Sequence, residues 1–520
     1  MALRIRFVEP APPGHNVYDL AQLPRLGLPL IATMLAEAGH DVRVYAEVLA
    51  EPDLDDCLGA DLVGISSTTS TAPAAYRLAD LLAEAGVPVV LGGPHVTFLA
   101  DEALGHAPYV VRGEGEATML DLVEHLEKGR GLEEVLGLSY RGADGEPFHN
   151  PARARCSQQE FERLPIPRLE LLEGYERMVT KPLMTQWGCP FDCEFCSVTA
   201  MFSRAVRHRR AEQVLAELAG LDARRVFFYD DNFVVNKART AALLSAMVDS
   251  SVTPEFFAQV RADSALRSLK SGEVDDEFLT LLQRAGCRMV MIGIEAVTDK
   301  ALVEMGKRQS VETIERSIAA FHRHGIGVHG MFVAGFDADD AGTTEATVDF
   351  ARRLEIDTFQ LMIETPLPGT HLWSRIETER RLLSEDWSLF DGHHVVMQPA
   401  QMSPLELQLG VLEAMRHFYS WPRILASGLA AAVRHLPDLA HVGTPALLRR
   451  LPSLARAGWS RRFEDVAQLV QAALPAEVAR RLSGAMWLPA LRFYARRQLS
   501  AWWEQERSRD HLQLLQTLSR

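Results

Sequence analysis

Three of the chain's six cysteines, Cys189, Cys193 and Cys196, fall within Trp187-Gly-Cys-Pro-Phe-Asp-Cys-Glu-Phe-Cys196, the pattern C-x3-C-x2-C. With 6 Cys in 520 residues, chance gives this spacing somewhere in the chain roughly once in a thousand trials. A disulfide framework is not expected: three thiols leave one unpaired, and Met1-Ala-Leu-Arg-Ile-Arg-Phe-Val-Glu-Pro10 reads as a strand without the apolar h-region of a secretion signal. A structural zinc site wants four ligands, and no suitably spaced fourth cysteine is present; His208 lies twelve residues on, in an Arg-rich segment. Three thiolates suit an iron-sulfur cluster with one iron left open to a substrate. Cys57, Cys156 and Cys287 are scattered and read as inert thiols.

The stretch that follows must position those thiols. Short apolar runs recur at 226–229, 256–260, 289–294, 327–334 and 358–363, and 183–187 supplies a first, making six strands. Between them 211–220, 238–248, 276–285 and 311–324 carry Leu, Ile, Val and Phe at steps of three and four. Alternating strand and helix predicts parallel strands joined by right-handed crossovers. The strand exits carry Asp230-Asp231-Asn232, Gln259 with Arg261, Gly293 with Glu295, and Glu364-Thr-Pro-Leu-Pro-Gly-Thr370. Singly, a carboxylate after a strand reads as a helix cap; together these surround one cysteine cluster. His329 reads as a satisfied barrel-lining histidine, and Lys307 with Arg308 as a solvated face.

With Phe195 in the aromatic slot, the cysteine motif resembles the C-x3-C-x-aromatic-C signature of the radical S-adenosylmethionine (SAM) superfamily. The resemblance implies a 4Fe-4S cluster on Cys189, Cys193 and Cys196 whose open iron chelates the amino and carboxylate groups of SAM. An external donor of flavodoxin or ferredoxin type then drives cleavage to methionine and a 5′-deoxyadenosyl radical. It implies a partial (β/α)6 barrel with its chemistry at strand C-termini. SAM contacts are implied at Asp230, Asp231 and Asn232, where the family usually has Gly-Gly-Glu and this chain departs from it, and at Gln259, Arg261, Gly293 and Glu295.

The first 125 residues alternate as well. Strands are expected over 4–8, 41–45, 62–65, 87–91 and 109–111, and helices over 28–38, 74–85 and 117–126, an open doubly wound sheet. Its exits carry Gly64-Ile-Ser-Ser-Thr-Thr69, Gly92-Gly-Pro-His95 and Arg112-Gly-Glu-Gly-Glu116, where small residues permit close approach of a ligand. No G-x-G-x-x-G follows the first strand, so a dinucleotide site is not expected. In combination these segments resemble the cobalamin-binding domain fused to many radical SAM enzymes, a likeness covering roughly residues 1–380. It implies cobalamin beside Ser66, Ser67, Thr68, Gly92, Gly93 and His95, with Gly113, Glu114, Gly115 and Glu116 on the adjoining exit. The D-x-H-x-x-G axial-histidine motif of cobalamin mutases is absent; the loop reads Pro10-Ala-Pro-Pro-Gly-His-Asn-Val-Tyr18, and its His15 reads as solvent-facing.

The expected organisation is therefore α/β: an N-terminal doubly wound Rossmann-like cobalamin-binding domain (1–135), a bridge with a hairpin turn at Asp144-Gly145 (136–180), a partial radical SAM barrel (181–380) and a helical C-terminal domain (381–520). Over 401–520 stand 16 Arg and no Lys against 9 acidic residues, a local +7 in a chain of net −15, together with Trp421, Trp459, Trp487, Trp502 and Trp503. Leu and Trp at helical spacing read first as core, and Arg beside Trp also suits peripheral contact with an anionic membrane or a lipid-like substrate. The acidic balance argues against a nucleic-acid partner, and no apolar run reaches bilayer-spanning length, so a cytoplasmic protein is expected. The resemblance implies methylation of an unactivated carbon of an apolar substrate. The methyl would come from methylcobalamin after hydrogen abstraction; the alternatives are radical oxidation, cyclisation or coupling without methyl transfer, and a non-catalytic cofactor sensor.

Overall fold

Short β-branched runs set between amphipathic helices fold into two parallel sheets, described over residues 2–13, 23–221, 223–420 and 509–518 of a computed structural model. In the first sheet β1 (Arg4–Glu9), β2 (Asp41–Ala46), β3 (Leu62–Ser66), β4 (Val89–Gly92) and β5 (Tyr109–Val111) lie in the order 2-1-3-4-5, all parallel. The order reverses between β1 and β3, the position at which such sheets open a ligand crevice. Two apolar layers sandwich it, one around Ile5, Val44 and Leu122 and one around Val63, Val89 and Ala79. The hairpin expected in the bridge forms as β6 (Leu138–Arg141) and β7 (Pro147–His149), with Gly145 N donating to Gly142 O at 2.9 Å. It pairs antiparallel with β5, so this part of the bridge completes the first sheet at seven strands.

The second sheet contains β8 (Thr180–Leu183), β11 (Arg225–Phe228), β12 (Glu255–Arg261), β13 (Cys287–Glu295), β14 (Gly327–Ala334) and β15 (Thr358–Ile363), parallel and in unbroken order. With no reversal, right-handed crossovers put every helix on one face and leave the other as the lumen of a partial barrel. Side chains begin those helices: Asn236, Asp275, Thr298 and Ser310 each accept a first-turn N–H, a cap contributing about 1 kcal/mol each. The first barrel strand is 180–183 rather than 183–187. Asp230 accepts the N–H groups of Thr185 and Gln186 and draws the chain out of the sheet. Beyond that turn β9 (Gln186–Trp187) pairs antiparallel with β10 (Arg207–His208). Pro182 is tolerated because β8 is an edge strand.

The chain to Gln408 forms one compact unit, and Leu409–Leu518 belongs to another. Of the helical tail, helices Pro404–Phe418 and Arg509–Leu518 are described; the five tail tryptophans and His15 lie outside the described residues. Among the described residues no helix is long and apolar enough to cross a membrane.

Candidate functional site

The cysteine loop is tied at both ends. Gly188, at φ 86°, turns the chain out of β9, and its N–H donates to Asp231 Oδ2 at 3.0 Å. Cys196 N donates to Cys193 O at 3.1 Å, Cys196 then leads into helix Ser197–Phe202, and Thr199 Oγ1 donates to Phe191 O at 3.0 Å. On the far side Leu372 N reaches Glu194 O at 3.1 Å and Arg375 Nε reaches Glu194 Oε1 at 2.7 Å. Phe195 packs with Leu372, Ile376 and Met397 and lies 6.1 Å from the Phe336 ring, so the aromatic slot anchors the loop in a small core.

All three thiols are free and half-buried. Burial pushes them up, Cys196 to about 12, with the charges of Cys193 and Cys189 adding to the rise. Such thiols become good ligands when bound cations replace the lost protons. Cys196 lies within electrostatic reach of both Cys193 and Cys189, and thiolates are the donors that iron-sulfur clusters take. The donor set fits a cluster.

The residues expected around SAM divide by role. Asp230, fully buried and pushed up to about 6, accepts from Thr185 N at 2.6 Å, Thr185 Oγ1 at 2.5 Å and Gln186 N at 3.2 Å. Asn232 receives Gln186 Nε2 on its backbone oxygen, and Gln259 O receives Phe233 N. This triplet therefore fastens the entrance to the cysteine loop. Arg261 donates to Asp263 Oδ1 at 3.1 Å and lies 3.7 Å above the Phe191 ring, with Nη2 buried and unpaired among the described residues.

Glu295 has φ 65° at a register shift between β13 and β14, and accepts from Lys307 Nζ at 2.6 Å. Lys307 also donates to Gly293 O and is 5% exposed, a correction to its reading as a solvated face. A Cβ on Gly293 would meet Glu295 Oε1 at 2.5 Å and Lys307 Nζ at 3.0 Å, so the pair closes over a position without a side chain. Cys193 lies within electrostatic reach of Lys307, Glu295 and Arg261. His329 is buried against Thr358 and Gln360, the lining role expected of it. The sequence marks Lys307 only as part of a solvated face and Glu364 only as the start of a strand-exit loop; a lone cation after a glycine and a carboxylate inside a proline-rich loop carry no period that reveals their burial.

At the first sheet, Gly93 has φ 103°, and a Cβ there would stand 2.4 Å from Ser67 O and 3.1 Å from Ser66 Oγ. Ser67 Oγ is buried with no partner among the described residues. A cradle that only glycine fits, with an orphan hydroxyl at the switch-point edge, suits close approach by a polar ligand edge. Gly92 ends β4 beside it. Thr68 takes a local role, its N–H donating to Thr71 Oγ1 at 2.9 Å. His95 Nε2 lies 3.2 Å from Glu102, its ring edge-on to Trp387 at 5.0 Å.

Gly113 N donates to Thr97 Oγ1 at 3.0 Å, and Gly115 opens helix Gly115–Lys128. The Glu114 carboxylate is engaged elsewhere than expected: it pairs with Arg207 at 2.6 Å and accepts Cys156 N at 2.7 Å, joining the exit of the first sheet to the β9–β10 ribbon at the base of the cysteine loop. Glu116 is half-buried, and desolvation pushes it up to about 7.

The B12 binding domain model matches residues 20–123 and the Radical SAM superfamily model residues 184–351. The chain is 32% identical to an uncharacterized methyltransferase, PH0819, of Pyrococcus horikoshii, over 77% of this chain and 89% of that one. It is 28% identical to bacteriochlorophyllide d C-12(1)-methyltransferase of Chlorobaculum tepidum, over 77% and 83%. It is 25% identical to anaerobic magnesium-protoporphyrin IX monomethyl ester cyclase of Rubrivivax gelatinosus, over 80% and 77%. In fold it resembles the radical SAM methyltransferase TsrM of Kitasatospora setae, solved with cobalamin and a [4Fe-4S] cluster (TM-score 0.58, 19% identity, 73% of this chain and 75% of that one). It also resembles the cobalamin-dependent SAM radical enzyme OxsB (TM-score 0.64, 18% identity, 88% and 71%). A thiol trio beside one parallel sheet and a glycine cradle at the β3 and β4 exits of another thus coincide with the two matched domains, and the chain belongs to the B12-binding radical SAM enzymes, which work with a 4Fe-4S cluster, SAM and cobalamin.

Proposed function

We propose that the protein transfers a methyl group to an unactivated carbon of an apolar substrate, of lipid, terpenoid or tetrapyrrole type. The observation that carries this reading is that the cysteine loop and the Ser67–Gly93 cradle occur in one compact unit, tied to each other through Glu114–Arg207 and through Trp387 Nε1 donating to Glu102 at 3.2 Å. When bound, the cluster and SAM supply a hydrogen-abstracting radical and cobalamin supplies the methyl group. The chain's own part is to bind and orient. Cys189, Cys193 and Cys196 would hold the cluster, Glu295, set by Lys307, with Asp231, Gln259 and Arg261 would bind SAM, and Ser66, Ser67, Gly92 and Gly93 would receive cobalamin. An unactivated carbon needs no positioned base, which suits a site built from anchoring contacts.

The tetrapyrrole methyltransferase and cyclase among the relatives support an apolar substrate. The cyclase relative also favours a second reading, radical oxidation or ring closure without methyl transfer. The Arg- and Trp-rich tail supports peripheral contact with an anionic membrane, and a flavodoxin- or ferredoxin-type donor completes the scheme.

The test is anaerobic incubation of reconstituted enzyme with SAM, methylcobalamin, a strong reductant and candidate tetrapyrroles and polycyclic lipids, followed by product mass. Formation of 5′-deoxyadenosine and a product heavier by one methylene is expected from wild type, with both absent from C193A. A product of altered mass without the added carbon selects the second reading; no SAM cleavage with any candidate overturns both.

A further inference from the structure

The two faces of the barrel sheet differ in chemistry. Side chains alternate across a strand, and the outer positions Ala258, Val290, Val328 and Phe359 are each 0% exposed beneath the helices. The inner positions Phe257, Met289, Met291, Met331, Val333 and Met362 are all partly exposed. Contacts across and along the sheet tie two of these thioethers to one wall: Thr358 Oγ1 of β15 lies 3.8 Å from Met289 Sδ of β13, and within β15 Gln360 Nε2 lies 2.9 Å from Met362 Sδ. The polar groups among them close on each other, His329 Nδ1 on Thr358 Oγ1 at 2.8 Å and Nε2 on Gln360 Oε1 at 3.2 Å. Four thioethers from three adjacent strands therefore form an accessible apolar wall. Unbranched, polarizable methionine moulds to an irregular apolar body better than branched residues do.

At the top of this wall stands a polar group that no described residue satisfies. Glu364 directly follows β15, two positions after Met362, so alternation puts it on the inner side; it is 2% exposed, and its Oε2 has no hydrogen-bond partner among the described residues. The charges around it are committed elsewhere. Arg375 pairs with Glu194 at 2.7 Å and Asp337 at 2.6 Å, Arg381 pairs with Asp337 at 2.6 Å, and Asp339 accepts from Gly335 N at 2.9 Å. Burial, against the pull of Arg375 and with the neighbouring carboxylates adding to it, holds Glu364 well above the usual carboxylate range. A buried carboxyl oxygen left unpaired costs about 1–3 kcal/mol, which a ligand atom would recover.

We propose that this wall is the substrate chamber: an apolar arm of the substrate packs on Met291, Met331 and Met362, and Glu364 hydrogen-bonds a hydroxyl or carbonyl oxygen carried on that arm. This deepens the proposed function and rests on its apolar substrate.

The test uses two probes with the same polycyclic body, 1-pyrenebutanol and 1-butylpyrene, bound to anaerobic reconstituted holoenzyme by equilibrium dialysis. Wild type is expected to bind both saturably. M291W and M331W fill the wall from different strands and should each weaken both probes at least about ten-fold, and E364A should weaken only the alcohol, about five-fold, with E364Q restoring most of it. Labelling of wild-type methionines with an oxaziridine reagent, read by mass spectrometry, needs no variant: 1-pyrenebutanol should protect Met291 and Met331. No saturable binding, unchanged labelling, or wild-type affinity in correctly folded tryptophan variants overturns the chamber. Equal loss of both probes in E364A overturns the role of Glu364. SAM cleavage by the same wild-type preparation is followed alongside; its failure would count against the proposed function while leaving probe binding to decide the chamber.

Discussion

Lys307 shows what a single side chain contributes and why its role was not legible in the sequence. Its ammonium is buried between Gly293 O and Glu295, whose own backbone sits at φ 65°, a conformation costing of order 1 kcal/mol or more that the surroundings must hold. Nothing in Gly306-Lys-Arg308 marks that burial: the partner carboxylate lies twelve positions earlier, and the register shift that turns it inward is a property of two paired strands. The cysteine trio, by contrast, was readable because its ligands are local in sequence. K307M removes the cation and leaves Glu295 half-buried without its ion-pair partner, a loss approaching that of deleting one partner of a fully buried pair, about 3–5 kcal/mol. The expected result is SAM cleavage reduced at least ten-fold with iron content near wild type, since the three cysteines are untouched. Wild-type cleavage in K307M would remove the pair from the SAM site.

Among the elements, parallel strands with apolar runs were placed within a residue or two by alternation alone, as at β14 and β15. Failures came where a distant side chain redirected the backbone, as Asp230 does after β8. The pairing of β1 with β2 depends on a similar long-range device. Asp56, 8% exposed, receives Arg6 Nε at 2.5 Å, Tyr45 Oη at 2.7 Å and Arg4. Despite the opposing effect of burial, hydrogen bonds from Arg6, Tyr45 and Arg4 hold its carboxyl well below the usual range. A carboxyl whose folded pKa is depressed contributes stability that is present above its unfolded value near 4 and is lost as pH falls below it. D56N should therefore lower the thermal midpoint at pH 7, equivalent to about 3–5 kcal/mol. The gap to wild type should narrow steadily as the melts are repeated from pH 5 down to pH 3. A gap that stays constant with pH would mean that the packing of the side chain, rather than its charge, holds the strand pair.

For the molecule as a whole, the question is what makes two separately formed sheets act as one unit. Composition and spacing announce both sheets but not the bond between them, because the residues that join them were legible only as parts of local motifs. Glu114 belongs to a glycine-rich strand exit and Arg207 to an Arg-rich segment after the cysteine loop. In the folded chain Arg207, 4% exposed, pairs with Glu114 and donates to Cys156 O at 3.0 Å, while its guanidinium lies 5.5 Å from the Trp187 ring and 5.9 Å from Phe202. Glu114 returns a second contact to Cys156 N, so sheet one, the bridge and the base of the cysteine loop meet at one ion pair. E114A leaves that guanidinium buried opposite no carboxylate, a change worth about 3–5 kcal/mol concentrated between the sheets and sparing both cores. Calorimetry should then resolve two thermal transitions where wild type shows one, and limited proteolysis should cut within 150–157 at least several-fold faster, with E114Q intermediate because its amide oxygen can still accept Cys156 N. A single transition in E114A, shifted or not, with unchanged cleavage, would show that the sheets are coupled through the Trp387 contact or the apolar surfaces instead, and that the glycine-rich exit is free to serve the cofactor alone.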